Sequence, residues 1–244
     1  QAIGSGLYQP LVPFINNTST DKRGYGASSN LAHRAFIGRA RYNYDGKYYL
    51  TGSVRRGGSS RFAPDKRGGT FCSASAGWDI SKESFMDDFT QNIDILKFKA
   101  SFGQNGNDLI GVNGIAYADQ YQIVGSDGVW SDGSLYYKGN RDITWEKSNA
   151  FNTGFDFSFW KGKLSGSVEY YNRQTSDMLF NIPVQASLGY SSMPKNVGSM
   201  RNNGFEISLN YRPINTKDIT LEIFGNATFQ WNKVLKLAPE IINE

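Results

Sequence analysis

The chain has 244 residues, 39% hydrophobic and 14% aromatic, enough for one large β domain or two small ones. Its net charge of +4 is spread along the sequence without a dense basic block, which argues against nucleic acid as a partner. One Cys and one His exclude an internal disulfide framework and a Cys/His metal cluster, and His33 has no catalytic motif around it.

Residues 1–33 are polar and turn-rich and are expected to form mainly loop. Residues 34–44 then alternate, with Phe36, Gly38, Ala40, Tyr42 and Tyr44 on one face and Arg39, Arg41 and Asn43 on the other. Asp45-Gly46-Lys47 signals a tight turn. Residues 48–56 return with Tyr48, Leu50 and Val54 opposite Thr51, Ser53 and Arg55, and 56–69 read as a polar, Gly-rich loop. Residues 70–80 set Cys72, Ala74, Ala76, Trp78 and Ile80 against Ser73, Ser75 and Asp79, and 81–88 predict a short helical turn. In 93–103, Leu96, Phe98, Ala100 and Phe102 oppose Lys97, Lys99 and Ser101. Residues 104–148 are long and irregular, with room for a short pair of strands around 116–124. Alternation resumes in 149–159, where Phe151, Phe155, Phe157 and Phe159 oppose Asn152, Asp156 and Ser158. After a turn at Lys161-Gly162, residues 164–171 place Leu164, Val168 and Tyr170 against Ser165, Ser167 and Glu169. Residues 172–202 read as a second long loop. Residues 203–211 carry Phe205, Ile207, Leu209 and Tyr211 opposite Glu206, Ser208 and Asn210. After a connection at 212–218, residues 219–231 carry Ile219, Leu221, Ile223, Ala227, Phe229 and Trp231 opposite Thr220, Glu222, Asn226 and Gln230.

This pattern predicts an all-β chain: part of an antiparallel up-and-down transmembrane β-barrel, with roughly eight long strands of a larger wall. No run of about 18 apolar residues occurs, so no transmembrane helix is expected; a barrel strand shows only alternate residues to lipid and needs no such run. Loop lengths mostly alternate between short and long, as periplasmic turns and extracellular loops do, with 81–92 as the one overlong turn. On that topology Tyr44, Tyr48, Trp78, Phe159, Trp160 and Tyr211 gather at the periplasmic rim, where amphipathic rings favour the headgroup level. Tyr170, Phe229 and Trp231 are expected near the outer rim. The whole of 1–244 is then part of one barrel domain, with 104–148 and 172–202 as extracellular loops. Arg39, Arg41, Lys97, Lys99, Glu169 and Glu206, together with Arg55, Asp156 and Glu222, would point into a hydrated lumen. The competing reading is a soluble cell-surface β-sandwich that binds glycans, since one face of each of its sheets would also be dry.

No catalytic residue, metal ligand set or cofactor motif emerges: the Gly-rich stretches at 57–60 and 103–108 lack phosphate-loop spacing and do not open a helix. Binding remains. Residues 104–148 interleave Tyr117, Tyr121, Trp130, Tyr136, Tyr137 and Trp145 with Asp, Asn and Gly. Aromatic platforms with polar neighbours suit sugars or peptides, and Trp130, Asp132, Tyr136 and Tyr137 are the candidate contacts. The alternative is that these rings pack the core of the loop itself.

Five ordered segments carry a resemblance: GRARYNYDGKYYLTGSVRRGGSSRF at 38–62, SAGWDISKESFM at 75–86, LKFKASFGQNGN at 96–107, TWEKSN at 144–149 and NVGSMRNNGFE at 196–206. Together they resemble barrel segments of SusC/RagA-type TonB-dependent transporters. The resemblance implies an importer of oligosaccharides or peptides in the outer membrane of a Gram-negative bacterium, surrounded by outer-membrane lipid. It implies a SusD-like surface lipoprotein as lid and TonB as energy source, reached through an N-terminal part and plug domain that this stretch does not include. A chain that starts at Gln1 without Met and ends on Ile241-Ile242-Asn243-Glu244 is expected to be an internal piece of the C-terminal part of such a barrel.

Overall fold

The computed structural model describes residues 3–7, 18–23, 30–89, 91–109, 115–122, 125–126, 129–130, 134–190 and 192–237. Eight long strands dominate: β1 (His33–Tyr44), β2 (Tyr48–Ser59), β3 (Gly68–Asp79), β4 (Ile93–Asn107), β5 (Glu146–Phe159), β6 (Leu164–Pro183), β7 (Ser192–Asn215) and β8 (Thr220–Lys236). They form one antiparallel sheet in which every strand pairs with its sequence neighbour, from β1 at one edge to β8 at the other, without closure. This is the up-and-down order of a partial barrel wall. No second sheet packs on it among the described residues, so the sandwich alternative lacks its other layer.

The register turns the sequence alternation into two chemically distinct faces. One row across all eight strands reads Tyr42, Leu50, Ala76, Ala100, Thr153, Tyr170, Phe205 and Phe229. The neighbouring row, on the opposite face, reads Asn43, Tyr49, Gly77, Lys99, Gly154, Glu169, Glu206 and Thr228. A one-residue slip anywhere would exchange the two faces, so burying one face in an apolar medium fixes the register. Cys72 pairs with Val54, which pairs with Gly38, and is exposed on the apolar face. The Asp45-Gly46 turn forms as expected, with both residues at positive φ (52° and 62°) and the Asn43 side chain accepting from Gly46 N at 3.1 Å.

Four features differ from the sequence expectation. Ile3–Leu7 and Thr18–Arg23 pair as a separate ribbon within the stretch expected as loop. The 104–148 loop narrows to 108–145, because β4 runs on to Asn107 and β5 begins at Glu146. The 172–202 loop narrows much further: β6 continues to Pro183 and β7 starts at Ser192, leaving 184–191. Residues 172–177 are polar on both sides, and 195–203 carry only Val197 and Met200 as apolar side chains, so the ladder continues after the hydrophobic alternation has ended. The longer strands also move Tyr170 to the seventh of 20 residues of β6 and Phe229 to the tenth of 17 in β8, within the wall and away from the outer rim.

Candidate functional site

At the long-loop end, an apolar core assembles over the polar face of the sheet. Phe71 shares that face with Arg55 and Ile37, and its ring occupies the space that a side chain at Gly69 or Gly106 would need. Trp145 lies edge-on to Phe71 at 5.6 Å and tilted against Phe62 at 5.2 Å, with Ile143 and Ala116 completing a buried cluster. The buried Trp145 ring donates from Nε1 to the Arg67 carbonyl at 3.0 Å, which ties the loop before β5 to the loop between β2 and β3.

Polar clamps hold this assembly in place. Asn196 on β7 accepts from Thr144 N (2.9 Å) and donates to the carbonyls of Thr144 (3.1 Å) and Asp177 (2.7 Å). Asn140 reaches the Pro194 carbonyl at 2.8 Å. Asp108, just past β4, accepts from Ser59 at 2.6 Å and lies 2.5 Å from His33 Nε2 and 4.0 Å from Arg61 Nε. Burial pushes the Asp108 carboxyl up, but the bonds to Ser59 and His33 outweigh it and hold the group below the usual carboxylate range. Ser59 and His33 both converge on the carboxylate, so no hydroxyl–imidazole pair of the hydrolase kind forms. Asp119 is held low chiefly by Lys138 at 2.8 Å.

Of the candidate contacts, Tyr137 is half-buried and donates its hydroxyl to the Ala116 carbonyl at 3.4 Å; burial pushes its phenol up to about 12. Trp130 lies on the short strand Val129–Trp130 and Tyr136 on Ser134–Tyr137, and their side chains are outside the described set. Asp132 lies outside the described residues. The remaining candidates share one face. Arg39 pairs with Ser53 and Arg41 with Thr51 across the β1–β2 hairpin. Lys97 stands 4.3 Å over the Tyr49 ring. Lys99 pairs with Asp156 at 2.8 Å and also with Glu169, bridging three strands. Glu169 and Glu206 are direct cross-strand partners and share a shallow trough with Asn152, Tyr171, Arg173, Asn202 and Gln230. The alternation places Asn152 and Gln230 on this face, whereas Arg173 and Asn202 are missed because they lie in the stretch expected as loop.

The short-turn end is stitched differently. Tyr44, Tyr48 and Trp78 form a ladder on the apolar face, with centroid separations of 6.3 and 6.5 Å. Backbone bonds link adjacent turns: Asp79 N to Lys47 O, Trp160 N to Asn92 O and Arg212 N to Lys163 O.

Comparison with known proteins identifies this architecture. The family described as TonB dependent receptor-like, beta-barrel, matches residues 2–240. The chain belongs to this family. The TonB-dependent receptor P39 of Formosa agariphila is 36% identical over 227 residues, covering 93% of this chain and 21% of P39. The TonB-dependent receptor SusC of Bacteroides thetaiotaomicron is 34% identical over 210 residues, covering 83% of this chain and 21% of SusC. Among solved structures, the RagAB peptide importer in its closed-closed state superposes with a TM-score of 0.77 at 30% identity, covering 85% of this chain and 22% of the importer chain. The chain thus spans about a fifth of the length of the curated relatives it matches. As part of a TonB-dependent receptor barrel, similar to SusC, it is a stretch of outer-membrane β-barrel wall, and its apolar face is the lipid-facing one.

Proposed function

We propose that this chain supplies wall and outer loops to an importer of oligosaccharides or peptides that works with a SusD-like surface lipoprotein and draws energy from TonB through parts of the protein outside this stretch. The polar face, with Arg39, Arg41, Lys97, Lys99, Glu169 and Glu206, lines the lumen, and the loop assembly faces the cell exterior. The observation that carries the reading is the placement of the ordered loop core over the polar face and not the apolar one. Loops folded over the lumen side lie in the path of an entering solute. Among the relatives, RagAB is a peptide importer by its description, which supports the peptide class.

The test uses the full-length parent protein in its own outer membrane. Combined substitution of Trp130→Ala, Asp132→Asn and Tyr136→Ala is expected to reduce uptake of labelled oligosaccharide or peptide pools at least tenfold, leaving the amount of heat-resistant barrel in the membrane unchanged. Unaltered uptake of both pools would remove these loops from the solute path. Co-purification with the surface lipoprotein, measured on the unsubstituted protein, tests the partner separately.

A further inference from the structure

The link between β3 and β4 is the one short-end connection too long for a turn. The link carries two 3-10 helices, Ile80–Lys82 and Ser84–Phe89, where the other links at that end need three or four residues to reverse the chain. We propose that this segment is an interfacial anchor that seats the barrel rim in the headgroup layer of the adjacent phospholipid leaflet, with Phe85 and Phe89 as the inserted side chains.

The placement of Glu83 fixes the side on which the segment lies. Its Oε1 accepts from the Tyr48 hydroxyl at 2.5 Å and from Trp78 Nε1 at 2.9 Å. Tyr48 and Trp78 both stand on the lipid-facing side, so the segment is fastened beneath the aromatic ladder of the outer wall. Glu83 and Lys82 turn back to the rim: Lys47 lies 3.5 Å from Glu83, and Lys82 bonds the Gly46 carbonyl at 3.0 Å and Asp79 at 3.1 Å, while Ser84, Asp87 and Asp88 of the second helix stay exposed, as groups at headgroup level can. The apolar groups do not turn back. Phe85 is 61% and Phe89 55% exposed, while Met86 between them is half-buried. Two such rings in one six-residue helix have no partner in water, but they continue the apolar surface of the wall. At the end of the segment the Asn92 carbonyl accepts from Trp160 N at 2.9 Å, and the exposed Trp160 ring carries the same belt to the next hairpin. Aromatic side chains at this height favour the boundary between acyl chains and headgroups.

The experiment places single spin labels in the full-length protein, in a Cys72→Ser background, reconstituted in phosphatidylcholine–phosphatidylethanolamine bilayers. Labels at Phe85→Cys and Phe89→Cys are compared with Phe151→Cys on the lipid face and Asp65→Cys in the opposite loops. Collision rates with oxygen and with a water-soluble nickel chelate are read for each. The expected result is an interfacial depth at 85 and 89, between the two references, and a several-fold rise in nickel access at 85 on adding Glu83→Ala. Nickel access equal to that at 65 overturns the anchor, as does shielding from both reagents, which would mean that protein covers the rings. The Phe151 label reads the wall itself, so failure of the membrane reading is seen separately.

Discussion

At the residue scale, the wall is held by side chains whose partners sit on other strands. Lys99 is the clearest case, since it stands between Asp156 of β5 and Glu169 of β6, and Glu169 in turn faces Glu206 of β7. Removing the ammonium leaves three carboxylates on neighbouring strands without an intervening cation, and like charges directly opposite one another destabilise a sheet. All three side chains of the Lys99 pairings remain about one-third exposed, so the loss is screened and should be about 1 kcal/mol for Lys99→Met. The midpoint of barrel unfolding in detergent, followed by heat-modified mobility of the full-length protein, measures it. Adding Asp156→Asn and Glu169→Gln should recover most of the loss if the effect is electrostatic. A variant cycle with no coupling would mean that the pairs contribute nothing to the wall. The alternation alone placed Lys99 on the charged face, but not its partners. Those depend on the register between strands that lie 57 and 70 residues away in sequence.

At the element scale, the membrane-spanning parts of the strands were legible and their outer extensions were not. Phe98 to Phe102 and Phe151 to Phe159 alternate because one side meets lipid. Above that level both sides of a strand are wet, so residues 172–177 lose the pattern while backbone pairing with β7 continues beyond them through two register shifts near Asp177. The loop core was legible in part: packing of the loop's own rings, Trp145 among them, was the alternative to ligand contact, but the partner from another loop was hidden. Phe62 is a lone ring in a Gly-rich stretch, and its contact Trp145 lies far along the chain, so no local window reveals the pair. The Asn196 clamp is the element-scale device that docks this loop on the β6–β7 hairpin. Asn196→Ala removes three hydrogen bonds and leaves Thr144 without its partner. At about 1 kcal/mol per net bond, the local opening cost should fall by roughly 1–3 kcal/mol. Hydrogen exchange at the Thr144 amide of the full-length protein should therefore quicken by about tenfold to a hundredfold, with amides in β4 and β5 unchanged. Equal acceleration in those strands would mean that the loop and the wall unfold as one unit.

At the scale of the whole molecule, the architecture is one layer thick. A soluble sheet covers one face with a second layer, but among the described residues the buried apolar side chains cluster at the loop end, with Phe62, Phe71, Ile143 and Trp145. The long apolar face, from Leu50 and Val54 to Phe229 and Trp231, stays exposed in this chain. The two outermost strands are exposed along their full lengths, twelve residues in β1 and seventeen in β8. Unpaired edges of that length are templates for further pairing, and in a closed wall the next strands would occupy them. Expressed as residues 1–244 alone, the chain should therefore fail to remain monomeric in aqueous buffer, because both its apolar face and its edges lack cover. Detergent micelles can cover the face but cannot satisfy edge amides, so self-association should persist in detergent while β content is retained. Light scattering coupled to size exclusion, with far-ultraviolet circular dichroism on the same fractions, separates the two effects. A detergent-free monomer rich in β structure would require the apolar face to be covered from within the chain, which would contradict the single-layer sheet. A detergent-bound monomer would instead show that the edges are protected without neighbouring strands, and that the wall can exist as a stable part before the barrel closes.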